Sequence, residues 1–348
     1  MKNNRNIINV KNSRITYERK LIFKFSLLLF VVLIISMFIG RYKIGFYDLV
    51  EVLGNFQNYL FHKELISTND MIIYNIRLPR IILAILVGAG LSVSGLVFQN
   101  IFKNPIASPD ILGVTSGASF GAALGIILPM EFPLKIELLS FIFGLVAVSI
   151  TYIIKKMSKN TSLLYLILSG IIVSAFFTSL LSFIKYIADP YNELPSIVFW
   201  TMGGLFNATW GNVLSTSIIV IPSIIIINAL KFKIKILSLK DDEAKSLGVN
   251  VYKLRKFILI IVSLVVSYVV SVAGTIGWIA LIVPHIVKII SKKNRDIYLS
   301  TAIFGGTILL VFDDLARSIS PSEIPVGILT ALIGAPILAY LLLSKKAI

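Results

Sequence analysis

The chain has 348 residues, of which 57% are hydrophobic and 14% charged, with a mean hydropathy of +0.90 and a net charge of +16. A soluble protein of this length carries more charge, so the composition excludes an ordinary globular enzyme and points to a polytopic membrane protein. There is no cysteine and there are two distant histidines, His62 and His285, which excludes disulfides, thiol catalysis and a Cys- or His-rich zinc site.

In chain order, residues 1–20 form a basic cytoplasmic tail. The first span covers about 21–40 and is apolar apart from Lys24. No A-x-A-like cleavage site follows, so it is an uncleaved span rather than a signal peptide. Uncharged runs then predict spans at about 81–102, 111–128, 138–154, 161–184, 212–230, 257–272, 277–290, 297–312 and 325–343. The longer runs approach or exceed the roughly 20 residues that cross a bilayer. The result is an all-α, polytopic integral membrane protein of about ten transmembrane helices in one domain, 21–348. The uncharged stretch 257–287 is too long for one span, and the AGTIG at 273–277 predicts a break within it.

Small residues recur at intervals of four. Gly113, Gly117, Gly121 and Gly125 fall on one side of a helix, where missing bulk lets a second helix pack closely in lipid. Gly170, Ser174, Thr178 and Ser182 make a small, mildly polar face. That face either packs against a neighbour or lines a path for a polar ligand. Asn104 and Pro105 close the 81–102 span, as a helix break or as part of an inner gate.

With the N-terminus inside, only Arg41, Lys43, Lys63, Arg77, Arg80, Lys135, Lys185 and Arg317 of the 33 Lys and Arg residues fall outside. The positive-inside rule supports this orientation and accounts for the basic balance without a nucleic-acid partner. The inner loop 231–256 predicts a short polar helix. Ser238 caps it, Asp241, Asp242 and Glu243 occupy its first turn, and Gly248 ends it. It is either a solvated connector or a docking helix. No G-x-x-x-x-G-K-[ST] phosphate loop or H-E-x-x-H motif is present. No catalytic residues and no metal ligands are assigned. Intramembrane acids are few, chiefly Asp110, Asp313 and Asp314, which disfavours an ion-coupled carrier.

Five ordered motifs resemble the FecCD family, the permeases of ABC importers for ferric siderophores, haem and cobalamin. They are RLPR at 77–80, GAGLSVSGLVFQNIFKNPIASPDILGVTSGASFGA at 88–122, the loop LSLKDDEAKSLGVNV, AGTIGWIALIVPHIVK at 273–288 and EIPVGILTALIGAPILAYLL at 323–342. The resemblance implies a type II ABC importer permease fold and a second permease copy, identical or related, around a central path. It implies two cytoplasmic ATP-binding subunits, which carry the ATP and Mg, and an extracytoplasmic substrate-binding protein. It also implies a bacterial or archaeal cytoplasmic membrane, with both termini inside.

The resemblance makes Arg77, Arg80 and Arg317 docking residues for the binding protein; the residues alone also allow headgroup anchoring or an internal pair such as Arg317 with Asp313. It makes Ser238, Leu239, Asp241, Asp242, Glu243, Ser246, Leu247 and Gly248 the coupling helix, with Lys240 where the family commonly has a small residue. It places the Gly170 face beside the central path. The expected function is inward movement of a ferric siderophore by alternating access, with no cofactor bound by this chain. Cobalamin or haem is the alternative cargo, and an ion-coupled secondary transporter working without an ATPase is the alternative of another class.

Overall fold

The computed structural model describes residues 2–55, 67–130, 132, 134–158, 162–239, 241–291, 297–320 and 322–343, and every regular element among them is helical. Apolar segments without water must satisfy their backbone groups internally, and helices do so locally. The first half holds α1 Lys2–Phe38, α2 Phe46–Gly54, α3 Thr68–Met71, α4 Leu78–Phe102, α5 Val114–Ile127, α6 Lys135–Met157 and α7 Leu163–Ile187. The second half holds α8 Glu193–Met202, α9 Trp210–Ala229, α10 Lys231–Leu237, α11 Asp241–Ser246, α12 Val251–Ala273, α13 Trp278–Ile290, α14 Tyr298–Ile319 and α15 Val326–Leu343. Among the described residues, seven helices are long and apolar enough to cross a membrane, and α5, α13 and α15 are shorter apolar helices.

Several boundaries differ from the sequence expectation, beginning with α1, which is helical from Lys2 rather than from residue 21. The second span starts at Thr68, well before residue 81, because Ser67 and Asp70 form a reciprocal capping box. The chain stays helical through the charged RLPR by widening to a π turn, Ile72–Arg77, in which the Leu78 N–H donates to the Ile73 carbonyl. That turn lies just before Pro79, whose ring crowds the preceding turn. The third span is the short α5, since Gly113 adopts a left-handed φ of 79° and ends a 3-10 turn. The ninth runs on to Ile319, so Asp313 and Asp314 lie within α14.

Helix α4 is the hub. Its most apolar window is 83% buried, against 17% for α1 and 28% for α6, α7 and α9. It packs against α9, α12, α13 and α14, while α5 lies between α6 and α7. Lipid supplies no hydrophobic drive between helices, so close backbone contact does the work. A Cβ at Gly305 of α14 would lie 2.0 Å from Ser92 Oγ of α4, and one at Gly95 of α4 would lie 1.6 Å from the Ala280 carbonyl oxygen of α13.

On α5, a Cβ at Gly117 or Gly121 would lie 2.4 or 2.3 Å from a carbonyl oxygen of α6, and one at Gly125 would lie 3.0 Å from the Ile136 Cα. Gly113 lies outside that helix; a Cβ there would be 3.3 Å from Val173 and Ser174 of α7. Helix α7 exposes Ile171, Ile172, Phe176 and Phe183, an apolar face turned away from the bundle.

Candidate functional site

Three interruptions of the helical backbone meet at one point in the bundle. Helix α8 ends at Gly203 with φ 72°, α12 ends at Gly274 with φ 65°, and α15 begins beside Gly327. The loose backbone groups satisfy one another. Gly204 N–H donates to the Ala273 carbonyl at 2.8 Å, Gly327 N–H to Gly203 at 3.2 Å, and the Thr275 hydroxyl to Thr201 at 2.5 Å. The AGTIG break expected from sequence is therefore one part of a three-way node. Substituting Gly274 with alanine forces a Cβ to 2.5 Å from the Trp200 carbonyl oxygen at a positive φ. We expect Gly274→Ala to destabilise the chain by roughly 1–3 kcal/mol, read as a lowered thermal midpoint of the detergent-extracted protein.

A cavity of about 390 Å³ lies against this node. Thr201, Met202, Thr275, Gly277 and Trp278 form one side, and Asp110 and Thr115 another. The Asp110 carboxylate accepts from the Thr115 and Ser108 hydroxyls, which fixes it at the start of α5. Irregular backbone at membrane depth is tolerated where it lines a cavity, and interrupted helices of this kind hold substrates in transporters. Among the described residues no cluster of His, Cys, Asp or Glu could hold a metal ion.

One end of the bundle carries a buried ion network. Arg80 donates from Nε and Nη2 to Asp313 at 2.9 and 2.8 Å, and from Nη1 to Glu323 at 2.9 Å. Arg317 donates to Asp314 and to Ser36 of α1, and its Nε lies 3.6 Å from Asp313. Arg77 donates to the carbonyls of Met37 and Tyr42. This corrects the picture of three outward arginines: Arg77, Arg80 and Arg317 are 3%, 6% and 5% exposed and find their acceptors within the chain. The physical reason is that buried charge persists only when paired and hydrogen-bonded. The Arg317–Asp313 proximity was visible as an i, i+4 spacing; the bidentate Arg80–Asp313 pair, 233 residues apart, carried no sequence signal.

The opposite end carries the loop between α9 and α12. Ser238 does not cap α11, a second correction: it closes α10, its hydroxyl donating to the Lys235 carbonyl at 2.7 Å. Helix α11 begins at Asp241. Leu239 is half-buried; Asp242, Glu243, Ser246 and Leu247 are exposed, and Gly248 takes a φ of 75°. Lys240 and the Asp241 side chain lie outside the described residues. Asn104 and Pro105 are exposed at this same end, after Lys103 caps α4 in a left-handed conformation. On α7, Gly170 packs on the Ile111 carbonyl oxygen, where a Cβ would come within 1.8 Å, Ser174 is half-buried, and Thr178 and Ser182 are exposed.

The FecCD transport family matches residues 28–344, nearly the whole helical bundle. The chain belongs to this family. It is 37% identical to the molybdate import permease MolB of Haemophilus influenzae, over 94% of this chain and 96% of that one. It is 34% identical to the hemin transport permease HmuU of Yersinia pestis, over 80% and 86%. A solved structure described as an inward-facing metal-chelate type ABC transporter matches with a TM-score of 0.82 at 36% identity, covering 93% of this chain and 99% of that one. This FecCD chain is a multi-pass membrane permease of an ABC importer, with a transport role rather than a catalytic one.

Proposed function

We propose that this FecCD permease moves a ferric siderophore inward across the cytoplasmic membrane. The observation that carries this reading is the match along almost the whole chain to a metal-chelate type transporter. The cavity agrees with it: among the described residues its wall offers hydroxyls, Trp278 and one carboxylate, that of Asp110, with no Lys or Arg. Such a wall suits a bulky neutral or cationic chelate better than a bare oxyanion, which Asp110 would repel. Molybdate is the second reading, favoured by the 37% identity to MolB; haem and cobalamin are further cargoes of the same type.

In this mechanism a binding protein delivers the chelate at the end held together by the Arg80–Asp313–Arg317 network. The three arginines shape that face from within. Two partner ATPases, which bind the ATP and Mg, push on α11 from the cytoplasm. Their motion passes along α10 and α12 to the node at Gly203 and Gly274, opening the cavity to one side as it closes to the other. A second permease copy completes the path.

The test is uptake in proteoliposomes that contain the permease, its ATPase and its binding protein, offered ferric siderophore, haem, cobalamin or molybdate. ATP-dependent uptake of ferric siderophore is the expected result. Uptake of molybdate alone moves the assignment to the second reading, and gradient-driven uptake without the ATPase overturns the importer mechanism. Leu247, an apolar side chain 59% exposed just after α11, gives a sharper probe of coupling. We expect Leu247→Asp to lower ATP-dependent uptake about tenfold or more, at an unchanged level of permease in the membrane.

A further inference from the structure

Helices α6 and α12 touch closely at one level and part beyond it. A Cβ at Gly144 of α6 would lie 3.0 Å from Ser267 Oγ of α12. From there toward the end that carries the loop between α9 and α12, the two helices leave a groove of about 420 Å³. Leu145, Val148 and Tyr152 recur at helical spacing along its α6 wall, and Lys256, Ile260 and Leu264 along its α12 wall. Ile260 and Leu264 are exposed, as is the neighbouring Ile153. The groove therefore opens on the outer surface of the bundle, which lipid covers in a membrane permease.

The chemistry of the walls is ordered along the groove. Positive charge stands at the mouth: Lys256 lines it, and Lys156 is exposed one turn beyond Tyr152. The Lys155 Nζ lies 5.3 Å from the Tyr252 ring centroid, which ties α6 to α12 at that level. Past Tyr152 the walls are mainly aliphatic, and the Ser149 hydroxyl is spent on the Leu145 carbonyl at 2.8 Å. Two wall residues, Tyr152 and Ser263, carry buried hydroxyls with no hydrogen-bond partner among the described residues, and Ser263 is 2% exposed. Buried hydroxyls normally find a partner.

We propose that this groove holds one anionic phospholipid, its phosphate on Lys256 and Lys156 and an acyl chain between Leu145, Val148, Ile260 and Leu264. Ammonium, hydroxyl and aliphatic wall follow one another as phosphate, glycerol ester and acyl chain do in the lipid, and ester oxygens are acceptors of the kind that Tyr152 and Ser263 lack. Lipid tails gain little from an apolar wall that they do not gain from one another. Selection among lipids therefore falls to the lysines, and basic sites between helices at headgroup depth bind anionic headgroups. Helix α12 runs from the loop that follows α11 to the node at Gly274, so a lipid wedged against α6 braces that helix.

The experiment is native mass spectrometry of the purified full-length permease in non-ionic detergent, with dioleoyl phosphatidylglycerol and dioleoyl phosphatidylcholine added at equal concentration. The two lipids share their acyl chains and differ in net charge. We expect one phosphatidylglycerol to be retained at several times the occupancy of phosphatidylcholine. Lys156→Gln/Lys256→Gln, at two exposed positions that folding tolerates, should cut that occupancy at least fivefold. Ser149→Trp, which fills the groove and leaves both lysines in place, should cut it as far. Lys20→Gln/Lys24→Gln on α1 removes two positive charges from the same end, where Glu18 meets Lys231 of α10, and should leave it unchanged. Equal retention of the two lipids, equal loss in the α1 pair, or full retention in Lys156→Gln/Lys256→Gln overturns the proposal. A dimer that Ser149→Trp dissociates, with no lipid selectivity, would give the groove to a second copy of the chain and overturns it as well.

Discussion

A valine at Gly95 should leave no stably folded permease. The Cβ it introduces would stand 1.6 Å from the Ala280 carbonyl oxygen, and that neighbour is backbone, which no rotamer change can move. Relief requires α4 and α13 to separate. Helix α4 also holds α9, α12 and α14, so the separation spreads through the bundle. The cost is on the order of 3 kcal/mol or more, at the upper end of overpacking effects. Gly211→Ala is the matched control, since a Cβ there meets only the Thr209 hydroxyl oxygen, at 3.6 Å. Size-exclusion profiles of detergent-extracted fluorescent fusions decide the matter. A single sharp peak with an unchanged thermal midpoint for Gly95→Val would refute direct backbone contact between α4 and α13.

Asp313→Ala should be the most damaging change to the ion network. Asp313 is fully buried and faces both Arg80 and Arg317. Its loss leaves Arg80 with Glu323 and leaves Arg317 with Asp314. Removing one partner of a buried pair typically costs about 3–5 kcal/mol, because the remaining charge stays desolvated. Glu323→Gln should cost far less, about 1 kcal/mol or below, since that side chain is 22% exposed and Asp313 still holds Arg80. Thermal midpoints of the two variants in one detergent give the comparison. A smaller drop for Asp313→Ala than for Glu323→Gln would refute the central place of Asp313 in the network.

The pattern of apolar runs made the all-helical membrane class legible, because hydrophobic length is a local property that lipid thickness selects. It misplaced ends where backbone chemistry intervened. The capping box at Ser67 and the π turn before Pro79 lengthened one helix, and the left-handed Gly113 shortened the next. Ser238 was legible as a helix-terminus residue, but an N-cap and a C-terminal closing serine look alike in sequence. The AGTIG break was legible too, although nothing local showed that it would meet Gly203 and Gly327.

By itself, then, the sequence determined the class and the FecCD membership, both carried by hydropathy and by ordered contiguous motifs. Only the tertiary structure decided the work of particular residues. It turned Arg77, Arg80 and Arg317 inward, because acids and carbonyls far along the chain came within hydrogen-bond reach of them. It made Gly95, Gly170 and Gly305 points of close approach, because a glycine's role depends on which chain segment arrives beside it. It also brought Tyr152 and Lys256 to one groove. Helix formation follows from residues a few positions apart, whereas charge pairing, close backbone contact and cavities arise between segments whose meeting no local pattern encodes.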